Sequence, residues 1–204
     1  MNKGKLVAFE GIDGSGKSTQ CALLKIQLDR VRVPSVITKA KPKDLDRVFH
    51  QFIKEFSISS DSVAYMFLYQ CLHRLQYDKS TETISGGDTA IADRWNLSYF
   101  VYHNMFGELS KKSAKLRKEL DLLAFCGQVP DIGFYLDIPV DVAINRRISR
   151  GEKFKDLEKE KELYEKVRDQ YKSLLDDNWI VIDGTGTILD IHHQVVKLVL
   201  DRVR

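Results

Sequence analysis

Gly11-Ile12-Asp13-Gly14-Ser15-Gly16-Lys17-Ser18 is the stretch that decides the fold. Its pattern is G-x-x-x-x-G-K-[ST], four fixed positions that an ordinary chain of this length matches by accident in roughly one case in a hundred. The apolar run at 6–9 before it reads as a buried strand. Residues 19–28 after it read as a helix, with Cys21, Leu24, Ile26 and Leu28 among its apolar positions. Strand, glycine loop and helix together make a phosphate cradle. The glycines let backbone N–H groups converge on phosphate oxygens, and the helix offers its positive end to the anion. Lys17 is placed to reach β- and γ-phosphates, and the Ser18 hydroxyl to ligate Mg²⁺. A turn that bound nothing would need neither. The cradle comprises Gly11, Asp13, Gly14, Ser15, Gly16, Lys17, Ser18 and Thr19, and the cofactors it implies are ATP and Mg²⁺.

The chain of 204 residues, 43% apolar and 30% charged, fits one soluble α/β domain spanning 1–204. A formal charge of +3 is too small to argue for nucleic acid. Basic residues cluster at 39–43, 111–118 and 146–155, the second reading as a solvated helix face. Cys21, Cys71 and Cys126 are too far apart for a C-x-x-C pair or a disulfide framework, so a reducing compartment and buried apolar roles are expected. The histidines lack metal-ligand spacing, and no structural zinc is expected. Lys3 and Lys5 precede too few apolar residues for a signal peptide, and no run approaches a membrane span. A cytoplasmic protein is the expectation, with a small-molecule substrate and neither nucleic acid nor membrane as partner.

Four more apolar runs read as strands, at 35–39, 89–93, 132–137 and 179–183. Helical stretches separate them, which predicts a five-stranded parallel sheet with helices on both faces. Ligands of such sheets bind at the carboxyl ends of the strands. The phosphate loop, residues 39–43 and Asp93-Arg94 all fall at such ends. Asp93 there can serve Mg²⁺, and Arg94 can hold a phosphate bidentately. Residues 151–161 are a highly charged interruption between two helices.

These motifs resemble thymidylate kinases, P-loop nucleoside monophosphate kinases. The resemblance begins at Phe9-Glu10-Gly11-Ile12-Asp13-Gly14-Ser15-Gly16-Lys17-Ser18-Thr19-Gln20 and continues through Asp93-Arg94-Trp95-Asn96-Leu97-Ser98 with Tyr102. Pro130-Asp131 with Phe134-Tyr135-Leu136-Asp137, and Arg146-Arg147-Ile148-Ser149-Arg150-Gly151-Glu152, extend it over residues 5–185. It implies a P-loop kinase fold with a short arginine-bearing lid at about 146–160. It implies transfer of the γ-phosphate of MgATP to dTMP, giving dTDP and ADP, in a homodimer. Asp13 would accept a hydrogen bond from the sugar 3′-hydroxyl, and Arg94 would hold the acceptor phosphate. Ser98 and Tyr102 would line the base pocket. Arg146, Arg147 and Arg150 would close over ATP and neutralise the transferring phosphoryl. The family has either a basic residue inside the loop or a glycine there with arginines in the lid; Gly14 places this chain with the second.

The chain departs from the family twice. After the second strand, where the family carries acidic-Pro-Gly-Gly-Thr, it reads Thr38-Lys39-Ala40-Lys41-Pro42-Lys43, with Lys41, Lys43 or Arg47 as candidate phosphate contacts. On the nucleobase helix the family has Phe-x-x-x-Arg; here Gln70 precedes Arg74, and the nearest phenylalanine is Phe67. Phe67, Gln70 and Arg74 are expected to share a helical face. Phe67 then reaches the base one turn displaced, or Gln70 offers it an amide. The resemblance implies that Tyr99 would lie beside the base, where its ring would narrow the pocket. These departures keep two alternatives open: a kinase for another deoxynucleotide or for a deoxynucleoside, with Glu10 as the base the latter needs, and an ATP-binding switch protein without a small acceptor.

Overall fold

The computed structural model describes residues 4–60, 62–105 and 114–203. Lys3 and residues 111–113 of the second basic cluster lie outside them. The elements run β1 Leu6–Glu10, α1 Lys17–Arg30, β2 Ser35–Thr38, α2 Lys43–Glu55, α3 Val63–Ser85, β3 Thr89–Asp93 and α4 Asn96–Met105. After residue 113 come α5 Ala114–Phe125, β4 Ile132–Asp137, α6 Val140–Ser149, α7 Leu157–Leu174, β5 Trp179–Asp183 and α8 Ile188–Val203. The strands form one parallel sheet in the order β2-β3-β1-β4-β5. β3 and β1 are buried at every position, as unalternating apolar runs require.

Successive residues of a strand face opposite sides, and this sorts the core into two layers. Val7 and Phe9 of β1 pack with Leu24 and Leu28 of α1 and with Val195 and Val199 of α8. Leu6 and Ala8 pack on the other side with Trp95, Leu97, Phe125 and Tyr171, beneath the helices from α3 to α7. The sheet is covered on both faces, an α/β fold of P-loop kinase type. The charged interruption is shorter than the sequence suggests, since α7 already begins at Leu157 under an Asp156 cap that accepts from Lys159 N–H. Cys21 is buried, but Cys71 and Cys126 are exposed. Cys71 lies on the outer face of α3 and Cys126 in the turn closing α5, so burial is not their role. No described helix is long and apolar enough to cross a membrane.

Candidate active site

The phosphate loop joins the carboxyl end of β1 to α1. Gly14 and Gly16 adopt φ of 92° and 102°, the left-handed region that favours glycine. A Cβ on Gly14 would stand 2.6 Å from the carbonyl oxygen of Ala143, so α6 packs onto the loop at this glycine. Lys17 is 5% exposed, and its Nζ donates to the Gly11 and Ile12 carbonyls at 2.9 Å each. Burial, with the charge of Arg94, lowers its pKa to about 8.

Asp93 ends β3 and is almost fully buried. Its Oδ2 accepts from Ser18 Oγ at 2.6 Å and Lys39 Nζ at 2.9 Å. Its Oδ1 is buried with no hydrogen-bond partner among the described residues. Burial pushes this carboxyl up, but the Lys39 and Lys17 charges outweigh it and hold it below the usual range. A hydroxyl beside a carboxylate with one unspent oxygen is a donor set that suits a hard divalent cation. Lys39 reaches Asp93 because the parallel register of β2 on β3 pairs Thr38 with Ala92, one residue before each. Of the basic residues after β2, Lys39 enters the cleft; Lys41 instead pairs with Asp46 at 3.0 Å and lies over the Phe49 and Tyr69 rings. The Lys43 side chain lies outside the described residues, and Arg47 is exposed on α2.

Arg94 has φ of 74°, a conformation non-glycine residues avoid at a cost on the order of 1–3 kcal/mol, and its surroundings fix it. Its N–H donates to Phe9 O at 3.0 Å, and its carbonyl accepts from Gln76 Nε2 at 2.8 Å. Its Nη1 donates to Gly11 O, Ser98 Oγ and Tyr171 OH at 3.1, 2.9 and 2.8 Å, and its Nη2 to Asp13 Oδ1. The guanidinium lies over the Tyr102 ring. Asp13 also accepts from Tyr164 OH at 3.0 Å and lies 4.0 Å from Lys17 Nζ. Burial raises its carboxyl, yet the Arg94 and Lys17 charges hold it well below the usual carboxylate range.

Beneath Arg94 is Glu10, fully buried. Its Oε1 accepts from the N–H groups of Trp95 and Ser98 at 2.7 and 2.9 Å, tying β1 to the start of α4. Its Oε2 accepts from Ser98 Oγ. Burial pushes its carboxyl up against the pull of Arg94. The sequence offered Glu10 as a possible base; the structure makes it the anchor of the Arg94–Ser98 corner.

A cleft of about 280 Å³ opens above these groups, lined by Asp13, Lys17, Ser18, Thr19, Lys39, Asp93, Arg94, Arg150 and Glu152. The three lid arginines part ways around it. Arg146 donates to Gly184 O at 2.9 Å and Gly14 O at 3.4 Å, bridging the phosphate loop to the turn after β5. Arg147 does not reach the cleft. It lies over Phe154 and Tyr164 at 4.6 and 4.7 Å, and donates to Glu152 and Glu160 at 2.8 and 2.9 Å. Arg150 is 58% exposed and, among the described residues, is held by Glu152 at 3.2 Å.

The nucleobase helix departs further from expectation. Phe67, Gln70 and Arg74 do not act as one face. Phe67 is 59% exposed. Arg74 turns to α5, stacking on Tyr77 and donating to Asp78 Oδ1 at 2.9 Å and Leu123 O at 3.3 Å, because the last turn of α5 presents open carbonyls there. Gln70 turns inward and donates to the hydroxyl of Tyr99, which is buried against His73 and Phe125.

The chain matches the family model described as Thymidylate kinase over residues 9–195. It is 34% identical to the thymidylate kinase of Fervidobacterium nodosum over 94% of this chain and 96% of that relative. It is also 34% identical to that of Caldanaerobacter subterraneus subsp. tengcongensis, over 97% and 95%. Identity to the Plasmodium falciparum thymidylate kinase is 31%, over 96% of this chain and 89% of that one. A match that begins in the phosphate loop's own strand and runs through the Asp93-Arg94 corner and the lid to α8 leaves one assignment: the chain belongs to the thymidylate kinase family.

Proposed function

We propose that the protein transfers the γ-phosphoryl group of MgATP to the 5′-phosphate of dTMP, yielding dTDP and ADP. Beyond family membership, one observation carries the reading. Lys17 and Arg94, cations of two separate phosphate-binding motifs, converge on Asp13 at the floor of one cleft. Two phosphates brought together in line are what phosphoryl transfer requires. A nucleotide-binding switch needs one.

In this reading the phosphate loop and Lys17 hold the β- and γ-phosphates of ATP. Lys17 exchanges its loop-carbonyl partners for phosphate oxygens. Ser18 and Asp93 would hold Mg²⁺, which would supply positive charge against the phosphates of ATP. Arg94 grips the acceptor phosphate; its left-handed backbone and anchored corner fix the fork before substrate arrives, so little freedom is lost on binding. Asp13 stays ionised and accepts from the sugar hydroxyl. An acceptor phosphate oxygen attacks the γ-phosphorus, the bond to the bridging oxygen of ADP breaks, and Arg150 swings from Glu152 to cover the charge that develops. Arg146 supports the loop, and Ser98, Tyr99 and Tyr102 wall the acceptor side. The burial of Glu10 argues against a deoxynucleoside kinase, because a carboxylate closed off by α4 cannot take a proton from a 5′-hydroxyl in the cleft.

A homodimer is supported by Phe52 of α2, Phe56 at its C-terminal cap and Phe67 of α3, which present large apolar side chains to solvent. A cytoplasmic location is supported by three unpaired cysteines. The activity is tested by quantifying dTDP formed from dTMP and MgATP by the wild-type protein and by Lys17→Ala prepared identically. The reading expects dTDP from the first alone. Equal amounts from both would trace the product to a contaminating kinase and defeat it.

A further inference from the structure

We propose that Gln70 reads the Watson–Crick edge of the acceptor base through its amide oxygen, admitting bases that present a ring N–H and disfavouring cytosine. This rests on the reading above that Arg94 holds the acceptor phosphate. One N–H of Gln70 Nε2 donates to Tyr99 OH at 2.5 Å, while Gln70 Oε1 is buried with no hydrogen-bond partner among the described residues. A buried amide oxygen is costly until something donates to it, so this position favours a ligand carrying an N–H.

The distance from the phosphate end suits a nucleotide. Gln76, on the same helix, donates to the carbonyl of Arg94. Six residues back along α3, at a rise of 1.5 Å each, Gln70 lies about 9 Å from Gln76 along the helix axis. This is the order of the reach from a 5′-phosphate to the far edge of a pyrimidine. On α4, Tyr99 precedes by three residues the Tyr102 whose ring lies against the Arg94 guanidinium, so both neighbour one side of that helix. The pair is held firmly. The Tyr99 ring meets His73 at 5.3 Å and Phe100 and Phe125 at 5.6 Å each. With Arg74 committed to α5, Gln70 is left to face the base from this helix.

The selectivity follows from which atoms donate. Thymine carries N3–H, which pairs with Oε1. Cytosine carries a lone pair on N3, which would confront it. Tyr99 is the positioning residue: its hydroxyl takes the Nε2 hydrogen bond and leaves Oε1 toward the base.

Equilibrium binding of dTMP, dCMP and 3-methylthymidine 5′-monophosphate, whose N3 carries a methyl in place of hydrogen, tests this without turnover. The wild-type protein is expected to bind dTMP at least about tenfold more tightly than either analogue. Gln70→Leu should weaken dTMP and bring dTMP and dCMP within about threefold of each other. Tyr99→Phe, which keeps the ring and loses the hydroxyl, should narrow the same ratio while dTMP still binds. An unchanged dTMP-to-dCMP ratio in both folded variants overturns the inference and leaves the function reading standing. A wild-type protein that binds none of the three overturns both.

Discussion

The phosphate end and the nucleobase helix are built from neighbouring elements, yet they obey different rules. At the phosphate end the backbone places the functional groups. The loop glycines, the carboxyl ends of β1 and β3 and the left-handed turn at Arg94 leave Lys17, Ser18, Asp93 and Arg94 little choice of direction. On α3 the side chains choose, and their choice depends on what other helices offer. Gln70 and Arg74 stand one turn apart, yet one turns to Tyr99 of α4 and the other to Leu123 of α5. Motif residues fixed by backbone carry their role in the sequence pattern; motif residues on a helix face carry it only with their neighbours in place.

Lys17→Ala breaks the phosphate end most severely. Turnover should fall on the order of 10³-fold or more with the fold retained, read as kcat together with the far-ultraviolet spectrum. A fall under tenfold would mean that the loop carbonyls, not phosphates, are the real partners of Lys17. Arg94→Ala should act next, raising the KM for dTMP on the order of a hundredfold while ATP affinity stays within a few fold. Loss of ATP binding instead would make Arg94 a support for the phosphate loop.

The lid extends the same contrast within one segment. Arg150→Ala should cost about tenfold in kcat with an unchanged melting temperature, whereas Arg147→Ala should lower the melting temperature by several degrees, having lost two aromatic and two carboxylate contacts. Reversed effects would mean that the lid opens Arg147 toward the nucleotide. The smallest effect concerns pH. Lys17 titrates near 8 in the free protein, and bound phosphates must raise that value, so nucleotide binding takes up a proton above pH 8. ATP affinity should be flat below pH 8 and fall above it, by up to about tenfold per pH unit. Lys17→Arg, which does not titrate, should give a level profile; a falling one would assign the titration to another group.

The strands at 89–93 and 132–137 are legible in the sequence because a strand covered on both faces reads as a short unbroken apolar run, and the edge strand at 179–183 is legible by the same kind of run although its Val181 is exposed. The phosphate loop is legible because its chemistry constrains four positions at once. Lys39 is less so, since choosing it over Lys41 requires the β2–β3 register, a long-range pairing that no local pattern encodes. The stacking of Arg147 on Tyr164 is equally hidden, as the end of one helix, a loop and two turns of the next separate them. Glu10 carried a usable signal. A carboxylate ending a wholly apolar strand must find N–H donors, and the start of α4 is where unpaired ones lie.

The most direct test of the account is the rate of ADP release from MgATP with and without dTMP, alongside dUMP, dGMP, dAMP, dCMP and thymidine. Two phosphate-binding cations meeting at Asp13 predict slow release with ATP alone and a rise of at least about a hundredfold with dTMP as the preferred acceptor. Release that is indifferent to every acceptor would contradict the account, leaving a nucleotide-hydrolysing or switch protein in its place.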